Sequence, residues 1–403
     1  MYTSQHIKDN IYWVGASDRR LALFENMFPL PNGVSYNSYL IMDDKVTLVD
    51  SVDNSITQVF FENIEHVLNG RMIDYLVVNH MEPDHCASID ELHRRFPDMK
   101  IVGNSKTFQL IRQFYDFDIE LLKREVKDGD TLCLGAHTLR FLFTPMVHWP
   151  EVMMTYDEKS KVLFSADAFG TFGALSGNLF ADETDYAGFY MDEARRYYTN
   201  IVGRYGPQVQ QALKKVLVYD IEVICPLHGP VWREDLGCFI GKYDKWSRYE
   251  PEKPGVVIAY ASMYGNTENA ATVIAGRLSE RGVKDMRMYD ISKTHPSYII
   301  ADAFKYSHLI FASPTYNNNL YFGMETLLRD MTVLNLQGRK VALVGNGSWV
   351  PQSHKVMEKL IGEMKDMELL TEPLVLRSSL KACQMDELMA LADTVADSVL
   401  SCG

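Results

Sequence analysis

Residues 249–255, Tyr-Glu-Pro-Glu-Lys-Pro-Gly, constrain the fold of this 403-residue chain more than any other segment. Two prolines and a glycine among charged residues cannot continue a helix or a central strand, so the segment is predicted to be a linker. A chain of this length is also too long to fold around one compact core. The sequence therefore predicts one domain over residues 1–250 and a second over residues 251–403.

Composition and charge exclude several classes of protein. Apolar residues make up 47% of the chain, which is ordinary for a globular protein. A net charge of -13 disfavours a nucleic-acid partner. No apolar run approaches the roughly 20 residues that a membrane span needs, and the polar start is unlike a signal peptide. We expect a cytoplasmic protein with no membrane partner.

The six cysteines are scattered and form no C-x-x-C pair. This spacing excludes a zinc ribbon, a rubredoxin-type iron site and a thioredoxin-like motif. We expect reduced thiols, most of them buried.

Short apolar segments separated by polar turns predict strands before the linker, at residues 39–42, 46–50, 75–78, 139–143, 162–165 and 223–225. Residues 55–68 have helical spacing. After the linker, an apolar strand at residues 256–260 begins an alternation of strands and helices. That alternation is typical of an open, doubly wound α/β domain.

Four potential metal ligands occur within residues 80–85, His-Met-Glu-Pro-Asp-His. In an extended stretch, His80, Glu82 and Asp84 face one side and can converge on one cavity, while His85 enters from a turn. His148, Asp167 and His228 each follow a separate apolar strand, where α/β folds place their sites. The pattern predicts one metal centre built from all seven residues.

This arrangement resembles the metallo-β-lactamase superfamily, whose signature is H-x-H-x-D-H followed by distant His, Asp and His. Glu82 stands in the place of the second His, and a carboxylate there suits non-haem iron better than zinc. H-x-E-x-D-H is the pattern of the flavodiiron family, and the match covers essentially the whole chain. The resemblance implies an N-terminal αββα metallo-β-lactamase-like sandwich and a C-terminal flavodoxin-like domain.

Carried over from that family, His80, Glu82 and His148 hold one iron, and Asp84, His85 and His228 hold the other. Asp167 lies between the two ions. His85 is the least secure ligand, because it varies within the family.

The loop after the strand at residues 256–260 has the chemistry of a phosphate site. It comprises Ser262, Met263, Tyr264, Gly265, Asn266 and Thr267. Hydroxyl and amide donors precede a helix N-terminus, which favours an anion, and no Lys is present for a Walker A loop. The loop resembles the flavodoxin pattern S/T-x-T-G-x-T, although Tyr264 replaces a hydroxyl residue.

Two later loops also leave carboxyl strand ends, as a flavin ring on a parallel sheet requires. They comprise Ser313, Pro314, Thr315, Tyr316, Asn317 and Asn318, then Gly345, Asn346, Gly347, Ser348 and Trp349. Tyr316 and Trp349 offer aromatic faces for stacking. Together, the three loops predict an FMN site.

Reduced FMN and two ferrous ions together hold four electrons, the number that reduces O2 to water; two electrons couple two NO into N2O. The resemblance implies both reactions, and a head-to-tail homodimer or dimer of dimers. No rubredoxin module follows residue 403, so an external donor is expected, either a rubredoxin-like protein or a reduced deazaflavin. Aromatic residues that can shape the gas pocket are Tyr197, Tyr198, Trp149 and Phe24.

Two alternatives remain open at this point. The first is a zinc hydrolase fused to a flavodoxin module, in which a metal-activated hydroxide attacks a carbonyl. The second is an electron carrier with a vestigial metal domain.

Overall fold

The computed structural model describes residues 2–402, which form two compact units. The first unit comprises the chain through Tyr198 and Pro207–Asp244; the second comprises Thr199–Gly206 and the chain from Lys245 onward. Residues 245–250 therefore pack with the second unit, before the predicted boundary at 250. The Tyr249 hydroxyl donates to the carbonyl oxygen of Gly203 over 3.0 Å, which explains why both short segments belong there.

The first unit contains short strands and seven α-helices among the described residues. The strands are β1 (Gln5–Lys8), β2 (Ile11–Trp13), β3 (Ala16–Asp18), β4 (Leu23–Phe24), β5 (Phe28–Pro29), β6 (Val34–Tyr36), β7 (Tyr39–Ile41), β8 (Thr47–Val49), β9 (Tyr75–Val77), β10 (Lys100–Gly103), β11 (Lys123–Glu125), β12 (Thr131–Cys133), β13 (Thr138–Phe143), β14 (Met153–Asp157), β15 (Val162–Phe164) and β16 (Val223–Cys225). The helices are α1 (Thr57–Leu68), α2 (Pro83–Cys86), α3 (Ile89–Arg95), α4 (Ser105–Phe114), α5 (Met191–Tyr197), α6 (Gly206–Val216) and α7 (Leu236–Ser247), of which α6 and α7 extend past the unit's edge.

Two sheets form the core of this unit. Their strand orders are β1-β2-β7-β8-β9-β10-β11 and β12-β13-β14-β15-β16. A single apolar cluster includes Val49 and Val77 from the first sheet and Phe141 and Phe164 from the second, so the sheets pack face to face. The strands predicted around residues 40, 48, 76, 141, 163 and 224 are all present.

The second unit is a mainly parallel sheet with helices on both faces; among the described residues, only β20 pairs antiparallel, with β19. Its strands are β17 (Lys253–Tyr260), β18 (Met286–Asp290), β19 (Tyr306–Tyr316), β20 (Asn319–Leu320), β21 (Lys340–Asn346), β22 (Glu368–Leu369) and β23 (Leu374–Leu376). Its helices are α8 (Asn266–Glu280), α9 (Pro296–Lys305), α10 (Phe322–Val333), α11 (Ser353–Gly362) and α12 (Ala382–Ser401).

Alternate residues of β17 belong to different apolar clusters, which shows the doubly wound arrangement directly. Val256 and Ile258 pack with α8 and α12, whereas Val257 and Ala259 pack with α9, α10 and α11. The order of the sheet is β18-β17-β19-β21-β22. The predicted fold class is therefore confirmed for this unit.

Two expectations were wrong. The predicted linker ends before residue 255, because β17 begins at Lys253; Pro254 is tolerated there because the pairing of β17 with β19 is irregular between Lys253 and Val256. Four of the six cysteines are exposed: Cys133, Cys238 and Cys383 lie on outward-facing positions of strands and helices, and Cys402 follows the end of α12; only Cys86 and Cys225 are buried. All six are free thiols.

No helix within residues 2–402 is both long enough and apolar enough to cross a membrane.

Candidate metal centre and cofactor cleft

The segment that follows β9 supplies four of the candidate metal ligands. Glu82 is extended, with φ -66° and ψ 143°, and α2 starts at Pro83. The expectation of an extended stretch through Asp84 was therefore wrong, because a proline at the first helical position favours a helix. As a result, His80 and Glu82 face one group of ligands, while Asp84 and His85 face a second group.

The first group surrounds Glu82. Its Oε2 lies 3.1 Å from Nε2 of His80 and 3.0 Å from Nε2 of His148. Oδ2 of Asp167 lies 3.2 Å and 3.1 Å from the same two nitrogens. An ion held about 2.1 Å from each donor places neighbouring donors about 3.0 to 3.4 Å apart, so these four atoms match the spacing of one coordination sphere.

The second group lies on the other side of Asp167. Oδ2 of Asp84 is 3.3 Å from Nε2 of both His85 and His228, and these two nitrogens are 3.1 Å apart. Oδ1 of Asp167 is 3.2 Å from His85 and 3.7 Å from His228. Asp167 therefore offers one oxygen to each group, which is the geometry of a carboxylate bridge between two ions.

The hydrogen-bonding pattern of the histidines fits metal ions better than protons. Nδ1 of His228 faces the carbonyl oxygen of Ser35 at 2.8 Å and must donate to it, so Nε2 of the neutral ring carries a lone pair toward His85. Both carboxylate oxygens of Asp84 and Oδ1 of Asp167 are buried without a hydrogen-bond partner. A cation between these groups satisfies all of these atoms at once.

The ionisation of the site agrees with this fit. Burial by itself would raise the pKa of Asp167, but the charges of His80 and His85 hold it well below its usual range. Burial opposes protonation of His148, yet the carboxylates of Asp167 and Glu82 raise its pKa to about 9. The carboxylates therefore stabilise positive charge within this pocket, and metal ions compete with protons for the same imidazole nitrogens and carboxylate oxygens.

Glu151 is a functional residue that the sequence analysis missed. Its Oε1 accepts a hydrogen bond from Nδ1 of His80 at 2.8 Å and from the backbone N–H of Met81 at 2.9 Å. The carboxylate thereby holds His80 with Nε2 aimed at the first group. The only feature of the sequence that could have indicated this role is that Glu151 lies three residues after His148. Many acidic residues in loops lie that close to a histidine without supporting a metal ligand.

A second set of supporting contacts joins the His228 loop to the strands near the start of the chain. Ser35 Oγ accepts from the backbone N–H of Gly229 at 2.6 Å, and the Asn37 amide donates to the carbonyl oxygens of Pro226 and Gly229 at 2.8 and 2.9 Å. These pairs are almost 200 residues apart in sequence, so no local pattern could have indicated them.

Aromatic rings enclose the imidazoles. The rings of Phe24, Tyr36 and Tyr197 lie 5.2, 5.5 and 5.3 Å from that of His228, and Trp149 lies 5.4 Å from His80. Tyr36 was not anticipated. Tyr198 instead packs edge-on against Tyr243 at 4.9 Å.

The predicted cofactor loops meet at a cleft of about 520 Å³ in the second unit. The lining residues predicted from the sequence are Ser262, Met263, Tyr264, Asn266, Thr267, Pro314, Thr315, Tyr316, Asn317, Asn318, Asn346, Gly347, Ser348 and Trp349. Val350 and Ser378 also line it and were missed. Gly265, Ser313 and Gly345 lie outside the lining; Ser313 is fully buried and its carbonyl oxygen accepts from the Ser353 hydroxyl at 2.8 Å.

The cleft fits a phosphate monoester carrying a planar ring. Gly265, at φ +86°, is the N-cap of α8 and supplies no side-chain cap, and the first two residues of this helix, Asn266 and Thr267, line the cleft, where a helix N-terminus favours an anion. A Cβ at Gly347 would lie 2.9 Å from Cα of Pro351 and 3.1 Å from Oγ1 of Thr315. Only glycine therefore allows this cleft loop to approach Pro351 and Thr315 so closely. Trp349 is 78% exposed at the rim.

Comparisons with known proteins agree with both halves of the chain. The family model described as ODP family beta lactamase matches residues 34–229, and the flavodoxin model matches residues 258–369. A nitric oxide reductase of Moorella thermoacetica is 32% identical over 91% of this chain and 91% of its own. An anaerobic nitric oxide reductase flavorubredoxin of Aeromonas hydrophila is 34% identical, over 86% of this chain and 70% of that one.

Solved structures show the same relationship. Rubredoxin oxygen:oxidoreductase of Desulfovibrio gigas superposes with a TM-score of 0.91 at 30% identity, covering 99% of both chains. The flavodiiron protein of Giardia intestinalis superposes with a TM-score of 0.92 at 26% identity, covering 99% of this chain and 97% of the other. These matches disfavour the hydrolase alternative. With its two ligand groups, its flavodoxin cleft and these relatives, the chain belongs to the flavodiiron family of oxidoreductases, which carry FMN and two irons.

Proposed function

We propose that this chain reduces O2 to water, NO to N2O, or both, with electrons from an external rubredoxin-like protein or reduced deazaflavin. The observation that carries the proposal is Asp167, whose two oxygens serve two adjacent ligand groups. The names of the relatives support it: one is a nitric oxide reductase and another a rubredoxin oxygen:oxidoreductase.

We assign the ligands as the geometry groups them. His80, Glu82 and His148 would hold the first iron, Asp84, His85 and His228 would hold the second, and Asp167 would be shared. Without His85, the second iron would have only Asp84, His228 and one oxygen of Asp167 as ligands. This small number supports His85 as a ligand. Metal binding belongs to residues 1–250 and FMN binding to residues 251–403 in this proposal, since every assigned ligand and every cleft residue respects that division.

When bound, FMN and the two irons supply electrons one at a time, four for O2 and two for a pair of NO molecules. The chain's own residues orient the ligands, balance the charge and exclude water. Glu151 and the Ser35 carbonyl orient two of the imidazoles. The carboxylates of Glu82, Asp84 and Asp167 offset positive charge on the irons, and the rings of Phe24, Tyr36 and Trp149 keep bulk water away.

Tyr197 is our candidate for the residue that faces the reacting gas. Its ring is buried, and burial together with the negative charge of Asp167 and Asp84 raises the pKa of its phenol well above the usual value. The hydroxyl therefore keeps its proton and can donate a hydrogen bond. We assign Tyr198 to packing, because it lies against Tyr243.

We further propose a head-to-tail homodimer, alone or paired into a tetramer, in which the flavin of one subunit serves the irons of its partner. The exposed rim of the cleft supports this arrangement, because Tyr264 is 90% exposed and Trp349 is 78% exposed beside it.

The proposal is tested by measuring iron, zinc and FMN in purified protein. The enzyme is then reduced under anaerobic conditions, and O2 or NO is added. We expect about two irons and one FMN per chain, and consumption of at least one gas with a reduced rubredoxin as donor. Two zincs and no gas consumption would support the hydrolase instead. Full FMN and iron with no gas consumption would support the electron carrier.

A further inference from the structure

A small apolar cavity lies in the first unit, outside the aromatic enclosure of the histidines. It measures about 10 Å³, counted as the space open to the centre of a water-sized molecule. One wall is a face of α6 carrying Val209, Ala212, Leu213 and Val216; Met154 of β14 lies on another. All of these side chains are buried.

The chemistry of the walls determines what the cavity can hold. Water needs two to four polar partners and at least about 10 to 15 Å³ of such space, whereas small apolar cavities remain dry and take up uncharged apolar species. Tyr243 brings the one polar side chain of the lining, and its hydroxyl already accepts from the backbone N–H of Phe169 at 2.7 Å. A diatomic gas fits this space in size and polarity.

The cavity adjoins the candidate metal ligands along the chain. Its wall includes Val147, which directly precedes His148, and Ala168, which directly follows Asp167. The ligand atoms of these two residues, Nε2 and Oδ2, are only 3.1 Å apart. The same two peptide segments therefore form the cavity wall on one side and hold the metal ligands on the other.

Two exposed apolar residues follow the cavity wall along the chain. Val216 lines the cavity at the end of α6, and the next two residues, Leu217 and Val218, are 47% and 78% exposed. Exposed aliphatic side chains at that point give an uncharged gas a weakly hydrated place to enter.

We propose that this cavity is a binding site for O2 or NO on its way to the metal centre. The inference rests on the proposed function, because it assigns the substrate a waiting site beside the His148 and Asp167 segments. Brief fluctuations of the packed side chains of α6 admit the gas, and the dry walls raise its local concentration next to the ligands.

The test uses the iron- and FMN-loaded enzyme in two measurements. Crystals pressurised with xenon are expected to show xenon in the cavity of the wild type. Ala212→Leu places a larger side chain in the cavity, and should abolish xenon binding and lower kcat/KM for the gas several-fold, with kcat at saturating gas retained. Gln211→Leu adds the same side chain on the exposed face of α6 and should change neither.

Each other outcome is informative. Absence of xenon from the wild-type cavity would overturn the proposal, and so would an unchanged kcat/KM in an Ala212→Leu enzyme that excludes xenon. If Ala212→Leu does not fold, Val209→Ala enlarges the same space and must raise xenon occupancy without loss of iron or FMN; unchanged occupancy would contradict the proposal. Wild-type enzyme that binds xenon but consumes neither gas would contradict the proposed function, and with it the role of the cavity in substrate delivery, while leaving the cavity as a site for apolar gas.

Discussion

Asp167 is the residue on which the two ligand groups depend together, because each of its carboxylate oxygens faces a different group. Asp84 contacts only the second group. We therefore expect Asp84→Ala to retain about one iron per chain and Asp167→Ala to retain clearly less, since metal affinity falls with each lost donor. Iron analysis after reconstitution measures this, with exposed Asp98→Ala as the control. Equal iron content in the two variants would refute the shared role.

Glu151 acts on the metal only through His80. Replacement by Gln keeps the size but removes the charge that makes the His80 ring a stronger donor, so we expect roughly 10- to 100-fold weaker iron binding. Competition with a ferrous chelator gives this affinity. Glu158→Gln, which removes an exposed carboxylate paired with Arg140, is the matched control and should bind normally. Wild-type affinity in Glu151→Gln would show that the negative charge of Glu151 does not strengthen metal binding by His80.

At the scale of elements, we expect a Gly→Ala substitution to have opposite effects in the loop after β21 and in the helix α8. Gly347→Ala forces a Cβ to within 2.9 Å of Pro351, so the loop must shift. We expect FMN to bind roughly ten-fold more weakly, which corresponds to about 1.4 kcal/mol.

Gly276 lies in the exposed interior of α8 and has open space around its Cα. Gly276→Ala should stabilise the protein by about 0.5 to 1 kcal/mol and leave FMN affinity unchanged. Fluorescence titration with FMN and thermal unfolding separate the two effects. Weakened FMN binding in both variants would mean that the cleft responds to any change nearby.

The elements also show what the sequence can and cannot predict. His148, Asp167 and His228 could be found because each follows a short apolar strand, and the carboxyl ends of strands converge in α/β folds. The residue spacing alone did not indicate the division of the ligands into two groups, because that division depends on α2 starting at Pro83; only the family resemblance implied it. Glu151, Ser35 and Ser378 reach their sites through tertiary contacts that leave no periodic or motif-like pattern.

For the whole molecule, electron transfer between subunits makes a prediction about mixed dimers. One chain carries Asp167→Ala, which depletes its iron; the other carries a cleft substitution that prevents FMN binding. If flavin and irons of different subunits work together, co-expression restores activity that neither variant has alone, because one intact pair forms in each mixed dimer. Steady-state gas consumption by the separated mixed dimer is the measurement.

The matched control places both defects in one chain and pairs it with the wild type. Transfer between subunits leaves this dimer inactive, whereas transfer within a subunit leaves one active chain. Activity in the control dimer and none in the complementing dimer would therefore contradict the head-to-tail arrangement.

The bonds from Ser35 and Asn37 to the His228 loop have a practical consequence for handling the protein. A protease cut just after Asn37 separates the groups that fix His228 from the rest of the chain, while His80 and its partner Glu151 remain on the later strands. Clipping near the amino terminus should therefore empty one iron position before the other. The iron content of a preparation therefore indicates whether the segment that contains Ser35 and Asn37 is still attached.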